Sequence, residues 1–181
     1  GSEMCIRDSL NTVSQTDLIV GARSGPINLL LYSVFHIGNA TNNMSYSSYQ
    51  AIQKLRGIDW VIPLSLGDSH KGFRVIGTET VFFKHFRFGD QQPLMFAEGK
   101  PFDDLYDAVI GANVAKKLGY GIGEKMVLSH GTSTFGSPQH GDKPFVVTGI
   151  LEPTGTPVDN SIQVSLKAVS YTHLTLPTTF G

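Results

Sequence analysis

Ala108–Lys125 reads AVIGANVAKKLGYGIGEK. Ala108-Val109-Ile110-Gly111 is a short apolar strand. Asn113 to Leu118 places its apolar residues at helical spacing, and Gly119 supplies the stop. The glycines that follow make a tight turn, and Lys125 to Ser129 resumes as a strand. A strand, a short helix, a turn and a second strand in so few residues predict mixed structure with short elements.

Downstream, His130 to Lys143 is a loop rich in glycine and serine. Phe145 to Leu151 is a strong strand. In it Val146 and Ile150 are expected on one face, and Gly149 allows a bulge or a close backbone approach. Pro153 to Pro157 turns, and Ser161 to Leu166 is the last strand.

Upstream, Asp17 to Gly21 reads as a strand and Asn39 to Asn43 as a polar loop. Pro26 to Ile37 is apolar enough for either a helix or a buried strand. Ser45 can cap a helix over Tyr46 to Arg56 whose Tyr46, Tyr49, Ile52 and Leu55 stripe faces a core, with Gly57 as the stop. Ile58 to Leu66 reads as a strand, with Pro63 placing it at an edge or a bulge. Phe73 to Ile76 alternates as a strand, and Glu79 to Phe88 is rich in phenylalanine around Lys84 and Arg87. Many short strands with few short helices predict an α+β fold with a mixed, mainly antiparallel sheet.

The two ends, GSEMCIRDS (1–9) and VSYTHLTLPTTFG (169–181), read unlike the middle. The bases that can encode residues 5 to 9 are, when inverted, the bases that can encode Val169 to Thr172. Both ends resemble a translated sequencing-library adapter. Residues 10–168 are then the biological domain, an internal fragment, and residues 1–9 and 169–181 are adapter-derived. Removing Arg7 from 14 basic residues, and Glu3 and Asp8 from 15 acidic ones, leaves 13 of each. A neutral chain without a basic stripe argues against nucleic acid. Cys5 is the sole cysteine and lies in the first end, so the middle offers neither disulfide nor thiol nucleophile.

Several strings invite a chemical reading. Gly67-Asp68-Ser69-His70 resembles the nucleophile block of GDS-type esterases, with Ser69 as nucleophile. A serine hydrolase needs a base and a group to orient it, and no Asp-x-x-His occurs anywhere in the chain. The plainer expectation is a hairpin turn with Ser69 and His70 exposed. Gly119 to Lys125 closes a helix and opens a strand, the reverse of a phosphate cradle. His130 and His140 flank the long loop and are the candidates for a metal site, with His70 or His85 as further ligands. Asp103, Asp104 and Asp107 are expected on a solvated helix or turn. Phe135, Phe86 and Tyr106 are candidate partner anchors, though aromatics at such positions belong more often to a core.

Three stretches in order say more. They are Trp60 to Gly67 followed by Phe73 to Thr78; Ala108 to Gly111 with Ala115-Lys116-Lys117-Leu118-Gly119 and Ile122-Gly123-Glu124; and Phe145 to Leu151. Together they resemble the extracytoplasmic, MacB-like periplasmic core domain of FtsX/LolC/MacB-type ABC-transporter permeases. The resemblance implies two lobes, one α/β and one inserted and β-rich. It implies a domain at the periplasmic face of the bacterial inner membrane, held between one transmembrane helix and three later ones. It also implies a second permease copy or a paralogue, a cytoplasmic ATPase subunit, and a periplasmic adaptor or lipoprotein as partners. The domain would engage substrate or partner and transmit ATP-driven motion, with no catalytic residues and no cofactor of its own.

Overall fold

The computed structural model describes residues 19–21, 26–37, 44–130 and 143–173. The elements in chain order are α1 (Pro26–Ser33), α2 (Tyr46–Gln53), β1 (Ser65–His70), β2 (Phe73–Thr78), α3 (Val81–His85), β3 (Arg87–Phe88), β4 (Gln92–Pro93) and β5 (Phe96–Gly99). They continue with β6 (Asp107–Ile110), α4 (Ala112–Leu118), β7 (Lys125–Met126), β8 (Ser129–His130), β9 (Phe145–Leu151), a 3-10 turn (Pro157–Asn160), β10 (Ser161–Ser165) and α5 (Leu166–His173). The main sheet runs β5-β9-β6-β10-β2-β1-β8, with β7 also on β9, and β3 and β4 form a separate hairpin. Among the described residues only β10–β2 and β6–β9 pair in parallel; the other pairs are antiparallel. The fold is α+β with a mixed, mainly antiparallel sheet, as the short alternating elements require. The described strands from β1 to β10 join one continuous main sheet, apart from the small β3–β4 hairpin, which lies in the segment between β2 and β6.

That sheet buries both faces. On one lie Val75, Ala108, Ile110, Val147, Ile162 and Val164, covered by Val114 of α4 and by Ala168 and Val169 of α5. On the other lie Val109 and Leu151 under a phenylalanine cluster of Phe82, Phe83, Phe86 and Phe102. The rings of Phe82, Phe83 and Phe86 meet at centroid distances of 5.0 and 5.5 Å, within the range where aromatic pairs add to plain area burial. Consecutive residues 108, 109 and 110 alternate between the two clusters because successive side chains of a strand point to opposite faces.

In β9 this alternation breaks. The register against β6 shifts between Ala108 and Val109, opposite Val147 and Gly149. One extra residue turns Ile150 back onto the face of Val147 and sends Leu151 to the phenylalanine face. A bulge at Gly149 was expected; the pairing of Val146 with Ile150 on one face was not met, because the bulge puts Val147 there instead. A Cβ on Gly149 would stand 2.4 Å from the Lys100 carbonyl oxygen, so the close approach is real as well.

The stretch around α4 folds as its residues dictate. Gly119 takes the left-handed conformation (φ 69°, ψ 30°) and its N–H donates to the Ala115 carbonyl, closing the helix. Lys116 and Lys117 sit in the last turn, where the helix dipole favours cations. Gly123 then donates to the Val147 carbonyl at 2.8 Å and ties the turn to β9.

The apolar run from Pro26, open to helix or strand, forms a helix over Pro26–Ser33. Four expectations change. Ser45 caps α2 by accepting from the Ser48 N–H, but the helix ends at Gln53, and of its stripe only Tyr49 is buried while Tyr46 and Leu55 are exposed. The strand expected from Ile58 begins at Ser65; Pro63 has no N–H for a ladder, and its carbonyl instead accepts from the Thr78 hydroxyl at 2.7 Å. Of the strand expected over Asp17 to Gly21, residues 19–21 are not in a strand and the rest lies outside the described residues. Gly67 to His70 is strand rather than turn, the subject of the next section. Helix α5 spans Leu166–His173, with Ala168 and Val169 buried.

Candidate functional site

Gly67-Asp68-Ser69-His70 lies within β1. The bend of the β1–β2 hairpin is Lys71-Gly72, both at positive φ (48° and 85°), the primed turn that suits strand twist. A register shift between Leu66 and Ser69 places a bulge at Gly67 and Asp68. Asp68 and His70 are therefore buried, not exposed. The His70 Nδ1 lies 2.7 Å from the Val127 carbonyl oxygen, to which it donates, and its Nε2 lies 2.9 Å from the Tyr120 hydroxyl, which donates to it. Both ring nitrogens are thus committed to structure. Ser69, the next residue along the strand, points to the opposite face, so no nucleophile–base pair forms there. His70 acts as a clamp between β1, the β7–β8 connection and the glycine turn.

The acidic residues Asp103, Asp104 and Asp107 form a turn, as expected. Asp107 Oδ2 accepts from the backbone N–H groups of Asp103 and Asp104 at 3.0 and 2.9 Å. Lys100 pairs with Asp103 at the surface. The side chain of His130, and all of His140 and Phe135, lie outside the described residues. Of the further metal candidates, His70 is engaged as above and the His85 ring stacks on Trp60 at 5.1 Å. Among the described residues no group of three His, Cys, Asp or Glu side chains is placed to hold a metal. Phe86 and Tyr106 are core-packed, Phe86 against Phe82 and Tyr106 against Phe145, and neither is an exposed anchor.

A polar cleft of about 500 Å³ opens where α1 ends against the 3-10 turn. Its walls include His36, Arg74, Asn113, Thr156, Asn160 and Ser161. Helix α1 is held there by Tyr32, whose hydroxyl donates to the Leu66 carbonyl at 2.8 Å and accepts from the Leu66 N–H at 3.0 Å. His36 follows at φ 55°, a left-handed conformation for a non-glycine residue. It is only 8% exposed, and its Nδ1 is buried with no hydrogen-bond partner. Burial, with the charge of Arg74 adding to it, pulls the imidazole down to about 4. On the other wall Asp159 is locked into its own loop: its carboxylate accepts from the Thr154 N–H and hydroxyl and from the Gly155 N–H, at 2.7 to 2.8 Å. Asn113 donates to Asn160 across the rim at 3.3 Å.

Sequence reasoning singled out none of these cleft residues. They come from a helix end, a strand, a helix start and a turn far apart in the chain, and no local motif joins them. The one signal within reach was His36 directly after an apolar helical run.

The family model for the MacB-like periplasmic core domain matches residues 7–179. Among curated proteins, none matches this sequence. Among solved structures, a domain assigned to a permease protein from Porphyromonas gingivalis is similar at 15% identity and a TM-score of 0.45; the match covers 65% of this chain and 55% of that one. No helix among the described residues is long and apolar enough to cross a membrane.

Proposed function

Since the chain belongs to the MacB-like periplasmic core domain family, the extracytoplasmic domain of ABC-transporter permeases, we propose that it engages a substrate or a periplasmic adaptor or lipoprotein. It then passes on motion driven by a separate cytoplasmic ATPase subunit. The observation that carries this reading is the family match over residues 7–179. In this reading the domain is a mechanical and binding element, paired with a second permease copy or a paralogue, and performs no catalysis.

The packing supports transmission. Strand β10 runs without a loop into Leu166, Lys167 and Ala168, and Ala168, the last residue before the adapter-derived end, lies on the apolar face of the sheet. Displacing that segment must displace β2 and β10, because interiors packed at crystal-like density transmit strain. A sheet with cores on both faces moves as a body, whereas a loop attachment would absorb the motion.

The test is to recover the source gene on both sides of residues 10–168. We expect an apolar run of about 20 residues before Leu10 and three more after Ala168, next to a gene for an ATPase. Soluble sequence on both sides would overturn the reading.

A further inference from the structure

We propose that the cleft between the end of α1 and the 3-10 turn binds a small ligand through an oxyanionic group, carboxylate or phosphate, held between Arg74 and His36. The inference does not depend on the transport reading, since it concerns only the chemistry of the cleft walls.

Three observations converge. First, His36 is more than nine-tenths buried, lines the cleft and has an unpartnered Nδ1. A buried polar nitrogen without a partner costs on the order of 1–3 kcal/mol, and most native structures avoid it. A ligand oxygen beside the ring would remove that cost, either by accepting from an N–H or, after a ring flip, by meeting the other nitrogen. Second, His36 at φ 55° is the left-handed cap of α1, with the Ile37 N–H donating to the Leu31 carbonyl at 3.0 Å, which fixes its backbone at the cleft wall. Third, Arg74 lines the same cleft and its charge reaches His36. A guanidinium carries five donors, so Arg74 can keep its contacts within the fold and still present a fork to a carboxylate or phosphate.

The one carboxylate on the wall does not oppose an anion. Asp159 turns both oxygens to Thr154 and Gly155, and those donors screen its charge. Asn113 and Asn160 at the rim supply neutral amides for the remainder of the ligand. The volume lies within the range of small-molecule sites and is far too small for a folded partner.

The test is nuclear magnetic resonance of the histidine rings of the whole 181-residue chain at neutral pH. The His36 signal is assigned by its loss in His36→Gln. Inorganic phosphate, acetate and, at matched ionic strength, sodium chloride are titrated separately. We expect a saturable shift of the His36 signal with phosphate or acetate, with a midpoint of roughly 1–10 mM, the range for a few polar contacts. Phosphate alone would identify a phosphate-bearing ligand, and acetate a carboxylate-bearing one. In Arg74→Gln the midpoint should weaken at least tenfold. If that variant does not fold, Arg74→Lys, which keeps the charge but loses the fork, should weaken it as well. A response equal to that of chloride, a linear response in both arms, or an unchanged curve in the folded arginine variant would overturn the proposal.

Discussion

Val169 lies directly against Gly77: a Cβ on Gly77 would stand 2.8 Å from Val169 Cγ2 and 3.1 Å from its Cβ. The contact joins α5 to β2 and leaves no room for a side chain at position 77. Gly77→Ala is therefore expected to destabilise the chain by about 1–3 kcal/mol, the usual cost of overpacking. Chemical denaturation measures it. The double variant Gly77→Ala with Val169→Ala should recover part of the loss, since the two methyl groups compete for one space. Additive losses would mean that the two residues do not touch.

Gly149 faces backbone rather than a side chain. A Cβ there would meet the Lys100 carbonyl oxygen at 2.4 Å and the Phe96 ring at 2.7 Å. The Lys100 carbonyl follows the end of β5, and its residue's N–H is tied to the Thr148 carbonyl at 2.9 Å, so it has less room to yield than a valine rotamer. Gly149→Ala should thus cost more than Gly77→Ala, roughly 3 kcal/mol or above. Equal or smaller loss in the same denaturation experiment would show that β5 is free to separate from β9.

The Asp159 carboxylate ties Thr154 and Gly155 into the loop by three hydrogen bonds. Asp159→Asn keeps the shape but puts a donor where one oxygen accepts. Charge-assisted bonds to backbone N–H groups are about twice as strong as neutral ones, so the loss should be about 2 kcal/mol. Thermal unfolding measures it, and amide exchange at Thr154 and Gly155 should rise in step. Unchanged exchange there would place the carboxylate elsewhere in solution.

His36 makes stability depend on pH. Its imidazole sits near 4 in the fold, against 6.5 for the free side chain, first because it is buried and second because Arg74 is close. The unfolded chain therefore binds a proton more readily. Its contribution to folding is fully present above 6.5, falls as pH drops from 6.5 towards 4, and levels off below 4. The full swing is on the order of 3 kcal/mol. His36→Gln should flatten that part of the stability–pH curve. A curve of the same slope in the variant would assign the dependence to other groups.

Local chemistry made much of the chain legible. Glycine in a left-handed cap ends α4, serine caps α2, and a stretch rich in β-branched residues, interrupted at Gly149, makes Phe145–Leu151 a strand. These features depend on neighbours within a few residues, and so does the ordered pattern that led to the permease family. Residues 67–70 were misread for the same reason. Glycine and aspartate favour a bend on their own, but here pairing with β2 and β8 holds them extended and moves the bend to Lys71-Gly72. The α2 stripe failed similarly, because helical spacing names a face and not what covers it.

The sequence alone thus determined the class of fold, the order of most elements and the family, since each rests on short-range propensity and pattern. Only the tertiary structure decided which strands are neighbours, that β9 changes face at its bulge, that His70 is a clamp rather than a base, and that His36 and Arg74 share a cleft. Those depend on contacts between residues far apart in the chain. Their energies come from burial and packing, and no local window of sequence contains them.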